Sequence, residues 1–301
     1  MSDIPFNRHL EFRYGVIEPV APRMRRLVAR NPGPFTFHGT GTYIVGHGEV
    51  AVIDPGPDLP EHVDALLRGL AGERVTHILV THTHRDHSPA SRPLRDATGA
   101  TVYAWGPHGI GQADSQVEEG ADREFAPDAT VRHGDLIEGR GWSFECVHTP
   151  GHTSNHMCYQ LCEQRALFCG DHVMAWNTTV IAPPDGDMTD YLASLQLLLG
   201  RDDRSLWPTH GPPVDDPKPF LRAYLEHRYA RERQIIAELR SGTHRVREMV
   251  VHLYRDLPLS LHPAAQCSVL ATLIHLHRQG RVSADGPPGL HARFVLSLEH
   301  R

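Results

Sequence analysis

Four potential metal ligands lie within six residues of this sequence, in the run His82-Thr83-His84-Arg85-Asp86-His87. Imidazole nitrogens and carboxylate oxygens suit zinc and other divalent metals, and a set without cysteine leaves positions open for water. The pattern HxHxDH arises by chance in about one chain in a hundred of this length and composition. Because the chain holds 23 histidines, this run needs support from other positions.

Three further candidate ligands follow the run in chain order. His152 comes after a Thr-Pro-Gly turn, Asp171 after Cys-Gly, and His210 after Pro-Thr. Each lies where a predicted strand ends, and rigid strands can direct the loop residues at their ends into one crevice. We therefore expect all seven side chains to meet.

The elements that would position these residues alternate between strands and helices. The run at 75–80 is rich in apolar residues, which predicts a strand buried on both faces. A glycine-rich, acidic stretch at 106–128 predicts a long surface loop beside the site. Strands are predicted at 43–45, 50–53, 75–80, 101–105, 142–147, 157–161, 166–169 and 206–208, and helices after a cap near Asp58, at 88–98 and at 188–199.

A proline-rich break at 211–219 predicts a boundary between residues 1–218 and residues 219–301. Beyond it, helices are predicted at 220–240, after a cap at Thr243, and at 262–279. Short strands at 281–283 and 294–296 would pair around a Gly-Pro-Pro-Gly tip. Three helices followed by a hairpin are typical of a winged helix.

The net charge of −6 is unevenly distributed along the chain. Residues 219–301 hold 12 arginines and 7 acids, a balance of +5, so the remainder carries −11. The basic segment indicates either contact with nucleic acid or a solvated helical face. The sequence shows neither an 18-residue apolar run nor an apolar N-terminal segment, so we expect a cytoplasmic protein without membrane contact.

In order, these motifs resemble those of the metallo-β-lactamase superfamily. The resemblance covers residues 35–215 and is strongest to the β-lactamase-like protein 2 group, on account of Pro34-Phe35-Thr36-Phe37, residues 183–188 and the basic C-terminal helices. It implies an α/β fold, namely a four-layer αββα sandwich, with a small C-terminal winged-helix domain.

The resemblance also implies two metal sites, although spacing alone does not divide the ligands between them. His82, His84 and His152 would hold the first metal, and Asp86, His87 and His210 the second. Asp171 would bridge both. Two divalent ions are expected, with zinc favoured and iron or manganese as alternatives.

These implied sites predict a dinuclear hydrolase that uses a metal-bridging hydroxide, with Asp86 as the catalytic residue that accepts its proton. Thr81 and Thr209 are candidates to brace ligand imidazoles, and Asp54 to support the ligand loop. His156 has either a supporting or a purely structural role. His172 is expected to point away from the metals, and residues 176–179 to line the substrate cleft.

The sequence leaves the substrate open between several classes. A glyoxalase II-like ligand set favours a small-molecule acyl substrate, either a thioester or an ester. The β-lactamase-like protein 2 group includes an endoribonuclease, which makes a phosphodiesterase acting on single-stranded RNA the alternative. A β-lactamase is disfavoured by a bridging Asp171, and a non-catalytic metal-sensing nucleic-acid binder is a third alternative. The C-terminal domain is expected to serve as a lid or as a homodimer interface.

Overall fold

Two β-sheets pack face to face in the centre of the protein, and helices cover the outer face of each sheet. The computed structural model describes residues 4–109 and 120–297. The middle of the loop predicted at 106–128 therefore lies outside the described residues. The order of layers is helix, sheet, sheet, helix, which confirms the predicted αββα sandwich.

The first sheet has seven strands in sequence order, antiparallel from β1 to β4 and parallel from β4 to β7. Its strands are β1 (Glu18–Ala21), β2 (Met24–Val28), β3 (Gly41–His47), β4 (Glu49–Ile53), β5 (Arg74–Leu79), β6 (Thr101–Ala104) and β7 (Ala129–Thr130). Helices α1 (Pro60–Gly69) and α2 (Ser91–Thr98) connect the parallel strands and cover the outer face.

The second sheet has five strands in the order β12-β11-β10-β9-β8, and only the β11–β12 pair is parallel. Its strands are β8 (Leu136–Gly139), β9 (Trp142–His148), β10 (Met157–Leu161), β11 (Ala166–Gly170) and β12 (Ser205–Pro208). Helix α3 (Met188–Gly200) and the start of α4 (Pro217–Arg240) cover its outer face.

Alternation of side chains along the strands builds the separate cores. In β4, Val50 and Val52 pack under the helices, whereas Ala51 and Ile53 face the other sheet. Successive side chains on a strand point to opposite faces, so a strand with apolar residues on both faces must be covered on both sides. Each central strand is therefore held between a helix layer and the opposite sheet.

The C-terminal part forms the predicted winged helix. Helices α5 (Val246–Leu253) and α6 (His262–Arg278) pack with the end of α4 and with a hairpin of β13 (Val282–Ala284) and β14 (Phe294–Leu296). Helix α4 begins beside the predicted boundary at residue 218 and contributes to two cores. Phe220 and Tyr224 pack on the second sheet, whereas Ile235 and Leu239 pack in the winged helix.

Several local features differ from the sequence-based expectations. Strands β1, β2, β7 and β8 were not predicted, because they are short or carry too few alternating apolar residues. Asp58 and Thr243 do not cap helices, since Leu59 and Arg245 occupy the N-cap positions without a side-chain hydrogen bond. Residues 259–278 are long and apolar enough to span a membrane, but 56% of the 18-residue apolar window in that segment is buried within the protein.

Candidate metal centre

The carboxyl ends of five strands meet at one edge of the sandwich and bring all seven predicted ligands together. Strand β5 leads into His82, His84, Asp86 and His87, β9 into His152, β11 into Asp171, and β12 into His210. Strand β4 leads into Asp54, which lies beneath them. The seven side chains are at least nine-tenths buried, except for that of His84, which is less buried.

Their nitrogen and oxygen atoms form three overlapping groups, in each of which all atoms lie within 4.8 Å of one another. One group is His82, His84 and His152, and another is Asp86, His87 and His210. The third joins His82 and His87 through Asp171. This grouping coincides with the division of ligands that the resemblance implies, with Asp171 placed between the two triads.

Asp54 anchors the ligand loop from below. Its Oδ2 accepts hydrogen bonds from His87 Nδ1 at 2.9 Å, Thr81 Oγ1 at 2.8 Å and Thr209 Oγ1 at 2.7 Å, and its Oδ1 accepts from Thr81 N at 2.8 Å. Because Thr81 Oγ1 donates to Asp54, it accepts from His82 Nδ1, 3.1 Å away. Both imidazoles therefore carry a proton on Nδ1 and turn Nε2 towards the centre.

Backbone carbonyls fix the Nδ1 proton of two other imidazoles. His152 Nδ1 donates to the carbonyl of Val180 at 2.9 Å, and His210 Nδ1 donates to that of Gly39 at 3.3 Å. Four of the five candidate imidazoles thus have their tautomer set by a partner outside the centre. His84 differs, because its Nδ1 is the atom that faces the centre, 3.0 Å from His82 Nε2 and 3.2 Å from His152 Nε2.

The unpaired atoms of the site fit cations. His87 Nε2 and Asp171 Oδ1 are buried without a hydrogen-bond partner in the described part of the chain. The lone pairs of His82 and His152 point at a third imidazole nitrogen, an arrangement that a shared cation satisfies. The nitrogen and oxygen donors, without sulfur, are those that zinc, iron and manganese accept.

The pKa shifts of the histidines differ between the two ligand triads. Burial lowers the pKa of His84 to about 3 and that of His82 well below its usual range, so both imidazoles are neutral at neutral pH. Burial also acts on His210, yet the carboxylates of Asp171 and Asp86 raise its pKa to about 10. The Asp86–Asp171 side of the centre thus concentrates negative charge and attracts cations.

The remaining expectations have mixed outcomes. Thr81 contacts a ligand imidazole as predicted, but Thr209 bonds to Asp54 instead of to an imidazole. His172 points away from the centre and packs on the Tyr191 ring. His156 lies beside the ligands, with its ring centroid 5.2 Å from that of His82, and its Nδ1 pairs with Thr149 Oγ1 at 2.9 Å.

Residues of helix α4 also support the centre, which the sequence analysis missed. Tyr224 hydrogen-bonds to Met174 and to the carbonyl of Asn177, and Arg228 Nη2 donates to the carbonyl of Thr179 at 2.5 Å. Thr179 Oγ1 in turn donates to the carbonyl of Asp171 at 2.7 Å. The i, i+4 spacing of Tyr224 and Arg228 could have indicated this role, since it places both residues on one helix face.

Comparison with protein families gives two matches. A model described as the metallo-beta-lactamase superfamily matches residues 36–210, more than half of the chain. A model described as the beta-lactamase associated winged helix domain matches residues 246–288. The first range contains all seven candidate ligands.

Curated relatives extend over most of the chain. A beta-lactamase-like protein 2 homolog from Caenorhabditis elegans is 31% identical over 275 residues, which is 88% of each chain. An atrochrysone carboxyl ACP thioesterase from Cryptosporiopsis sp. (strain 8999) is 31% identical and covers 74% of this chain and 65% of its own. A protein of the same name from Aspergillus chevalieri is 30% identical, with 80% and 76% covered.

Solved structures agree with the fold. A metallo-beta-lactamase family protein from Thermus thermophilus aligns with a TM-score of 0.74 at 24% identity, over 92% of this chain and 99% of that one. A beta-lactamase domain protein from Burkholderia ambifaria aligns with a TM-score of 0.75 at 19% identity, over 94% of each chain. At these identities the likeness concerns the fold alone.

Proposed function

The chain belongs to the metallo-β-lactamase superfamily, and from this premise we propose that it is a dinuclear metal hydrolase that cleaves acyl thioesters or esters. The observation that carries the proposal is the overlap of the three ligand groups through Asp171. A single metal needs only one such group, whereas two triads joined by a carboxylate suit a pair of ions. We propose zinc for both positions, with iron or manganese as alternatives.

Bound there, the two ions would lower the pKa of water towards neutrality and polarise the substrate oxygen. The residues of the chain have separate tasks around that chemistry. Asp54, Val180 and Gly39 fix the imidazole tautomers. We assign to Asp86 the role of accepting the proton of the attacking water. Its Oδ2 is held in place by Thr40 Oγ1 at 3.3 Å and lies 3.0 Å from His210 Nε2.

The choice of acyl substrates is supported by the two relatives that are named as ACP thioesterases. Their matches cover 74% and 80% of this chain. The second candidate is a phosphodiesterase acting on single-stranded RNA, which the excess of arginine in residues 219–301 favours. The two candidates predict different substrates for the same metal centre.

Elemental analysis of the purified protein and of Asp171→Ala tests the metal centre. We expect about two metal ions per wild-type chain and a loss of metal in the variant. Asp64→Ala, an exposed carboxylate on α1, is the matched control and should keep the wild-type content. A wild-type protein that holds no metal after purification and reconstitution would contradict the proposal.

A substrate panel tests the reaction. Wild type and Asp171→Ala should each be assayed with thioesters, esters, a β-lactam, bis-p-nitrophenyl phosphate and single-stranded RNA. We expect thioester or ester hydrolysis that the variant lacks. Cleavage of RNA alone would replace the acyl proposal with the phosphodiesterase, and metal binding without any hydrolysis would support a sensor.

A further inference from the structure

A cavity of about 250 Å³ lies between the catalytic sandwich and the C-terminal helices. The segment 174–180 contributes one wall, α4 and α6 contribute two more, and residues near Phe6, Phe35 and Leu257 complete the lining. The first wall is shared with the metal centre, because Val180 accepts a hydrogen bond from His152 and Thr179 donates to the backbone of Asp171. A group held in this cavity is therefore one backbone segment away from two candidate ligands.

Most of the cavity surface is apolar. Phe6, Phe35, Trp176, Leu257 and Leu261 contribute large side chains, and Ala264 and Ala265 of α6 keep the space between them open. Trp176 is fixed by stacking on Phe37, with 4.8 Å between ring centroids and 15° between planes. Such walls accommodate an alkyl or aromatic body.

Two arginines interrupt this apolar surface. Arg228 and Arg231 line the cavity from α4, and no aspartate or glutamate lines it among the described residues. Arg228 is only 8% exposed, and the Nε atoms of both arginines lack a hydrogen-bond partner within the described ranges. In the same part of the chain, no carboxylate lies within 4.0 Å of either guanidinium, although exposed Arg233, on the same helix, pairs with Glu226.

The remaining bonds of the two guanidiniums are to neutral groups. Arg228 donates to the Thr179 carbonyl and lies over the Tyr191 ring, 4.9 Å from its centroid. Arg231 donates to Gln234 and to the Leu253 carbonyl, and lies 4.1 Å from the Tyr254 ring centroid. Burying cations without a counter-charge is costly, so this wall is electrostatically complementary to an anion.

We propose that this cavity binds the acyl part of the substrate, and that the acyl part has an apolar body with a carboxylate held by Arg231 and Arg228. The proposal rests on the proposed acyl hydrolase function and names its substrate class. Guanidinium groups suit a carboxylate because they can offer two parallel N–H donors. The adjoining apolar walls favour an organic acid over inorganic phosphate.

Binding of inert probes tests the proposal without requiring turnover. The probes are 2-naphthoate, its neutral analogue 2-naphthamide, and inorganic phosphate, each titrated calorimetrically into the full-length protein. We expect 2-naphthoate to bind at least tenfold more tightly than 2-naphthamide, and phosphate to bind weakly. Equal binding of acid and amide would overturn the role of the arginines. Tighter binding of phosphate than of 2-naphthoate would overturn the assignment of an organic acid to the cavity.

Variants locate the bound probe. Arg231→Gln should weaken the binding of 2-naphthoate at least tenfold. Arg233 is exposed and pairs with Glu226, so Arg233→Gln should leave the binding of 2-naphthoate unchanged. Ala264→Leu reduces the volume of the cavity without replacing either arginine and should also weaken binding, with folding checked by thermal melting. Asp171→Ala should retain binding. If only Asp171→Ala loses it, the carboxylate binds at the metals and the proposal is wrong.

The two proposals fail separately. Absence of metal and of hydrolysis contradicts the hydrolase, even where 2-naphthoate binds in the cavity. Hydrolysis with normal metal content, combined with no effect of Arg231→Gln or Ala264→Leu on probe binding, contradicts the acyl site alone. For turnover, Arg231→Gln should raise KM for a carboxylate-bearing thioester more than for a neutral one, with little change in kcat.

Discussion

Asp54 should control metal affinity although it is not one of the seven candidate ligands. It is completely buried and accepts four hydrogen bonds, from His87, from Thr209, and twice from Thr81. Through these bonds it sets the tautomer of His87 directly and that of His82 through Thr81. Replacing it by asparagine preserves the shape, but removes the charge and turns one acceptor into a donor.

The size of the effect follows from these contacts. If the amide oxygen of the introduced asparagine takes the Oδ2 position, the amide nitrogen faces Thr81 N–H, and two donors oppose each other. If the amide flips, the NH₂ group faces three donors. Removing a partner that orients a ligand lowers metal affinity by about 10- to 100-fold, which corresponds to about 1.4–2.7 kcal/mol. Unfolding of the metal-free protein should require about 1–3 kcal/mol less.

Competition with a chromophoric chelator measures the metal affinity, and chemical denaturation of the metal-free protein measures stability. Asp203→Asn is the matched control, because Asp203 is also buried and accepts hydrogen bonds from Arg201 and Gln160, but precedes β12 at the opposite end of the sheet. This control should lose stability without losing metal affinity. Wild-type affinity in Asp54→Asn, or an equal loss of affinity in both variants, would refute the tautomer argument.

Three further predictions follow from other sites. Burial lowers the pKa of His62 from 6.5 to about 4, so the unfolded chain takes up a proton first as the pH falls; about 3 kcal/mol of stability present above pH 6.5 should be lost by pH 4. In denaturation at several pH values, His62→Gln should reduce this dependence, and an unchanged slope would contradict it. Gly151→Ala should cost more than about 2 kcal/mol, since its Cβ would lie 2.3 Å from Tyr191 Cα at φ +135°, whereas Gly134→Ala, with φ +85° and open space, should cost about 1 kcal/mol; equal losses in thermal melts would disprove the clash. Removing metal with a chelator, verified by elemental analysis, should lower Tm by about 5–10 °C and abolish hydrolysis until zinc is returned; an unaltered Tm would argue against a metal bound in the folded state.

The sequence predicted that the seven candidate ligands would meet, because their positions depend on local rules. Each follows a strand whose apolar pattern is visible, and strand ends on one edge of a sheet are brought together by the topology. Asp54 was predicted to support the ligand loop for the same reason. The positive φ of +46° at Asp54 and the four donors around its carboxylate could not be predicted, since they depend on where β4, β5 and β12 lie relative to one another.

Contacts that join distant segments were harder to predict. The carbonyls of Val180 and Gly39 orient two imidazoles, but a backbone carbonyl has no sequence signature. The edge strands β1 and β7 were missed because a short edge strand needs few apolar residues. The division into residues 1–218 and 219–301, the cytoplasmic location and the homodimer remain predictions.

Helix α4 connects the candidate metal centre with the core of the winged helix. Tyr224 and Arg228 lie on a helix whose later residues, Ile235 and Leu239, pack in the winged-helix core. From that helix, bonds run to the segment 174–180 and from the segment to Asp171 and His152. A shift of α4 would therefore change both the cavity that the two arginines line and the backbone that orients two candidate ligands. Binding of the carboxylate in the cavity and the geometry of the candidate ligands should consequently be coupled through residues 174–180, without a direct contact between that carboxylate and any candidate ligand.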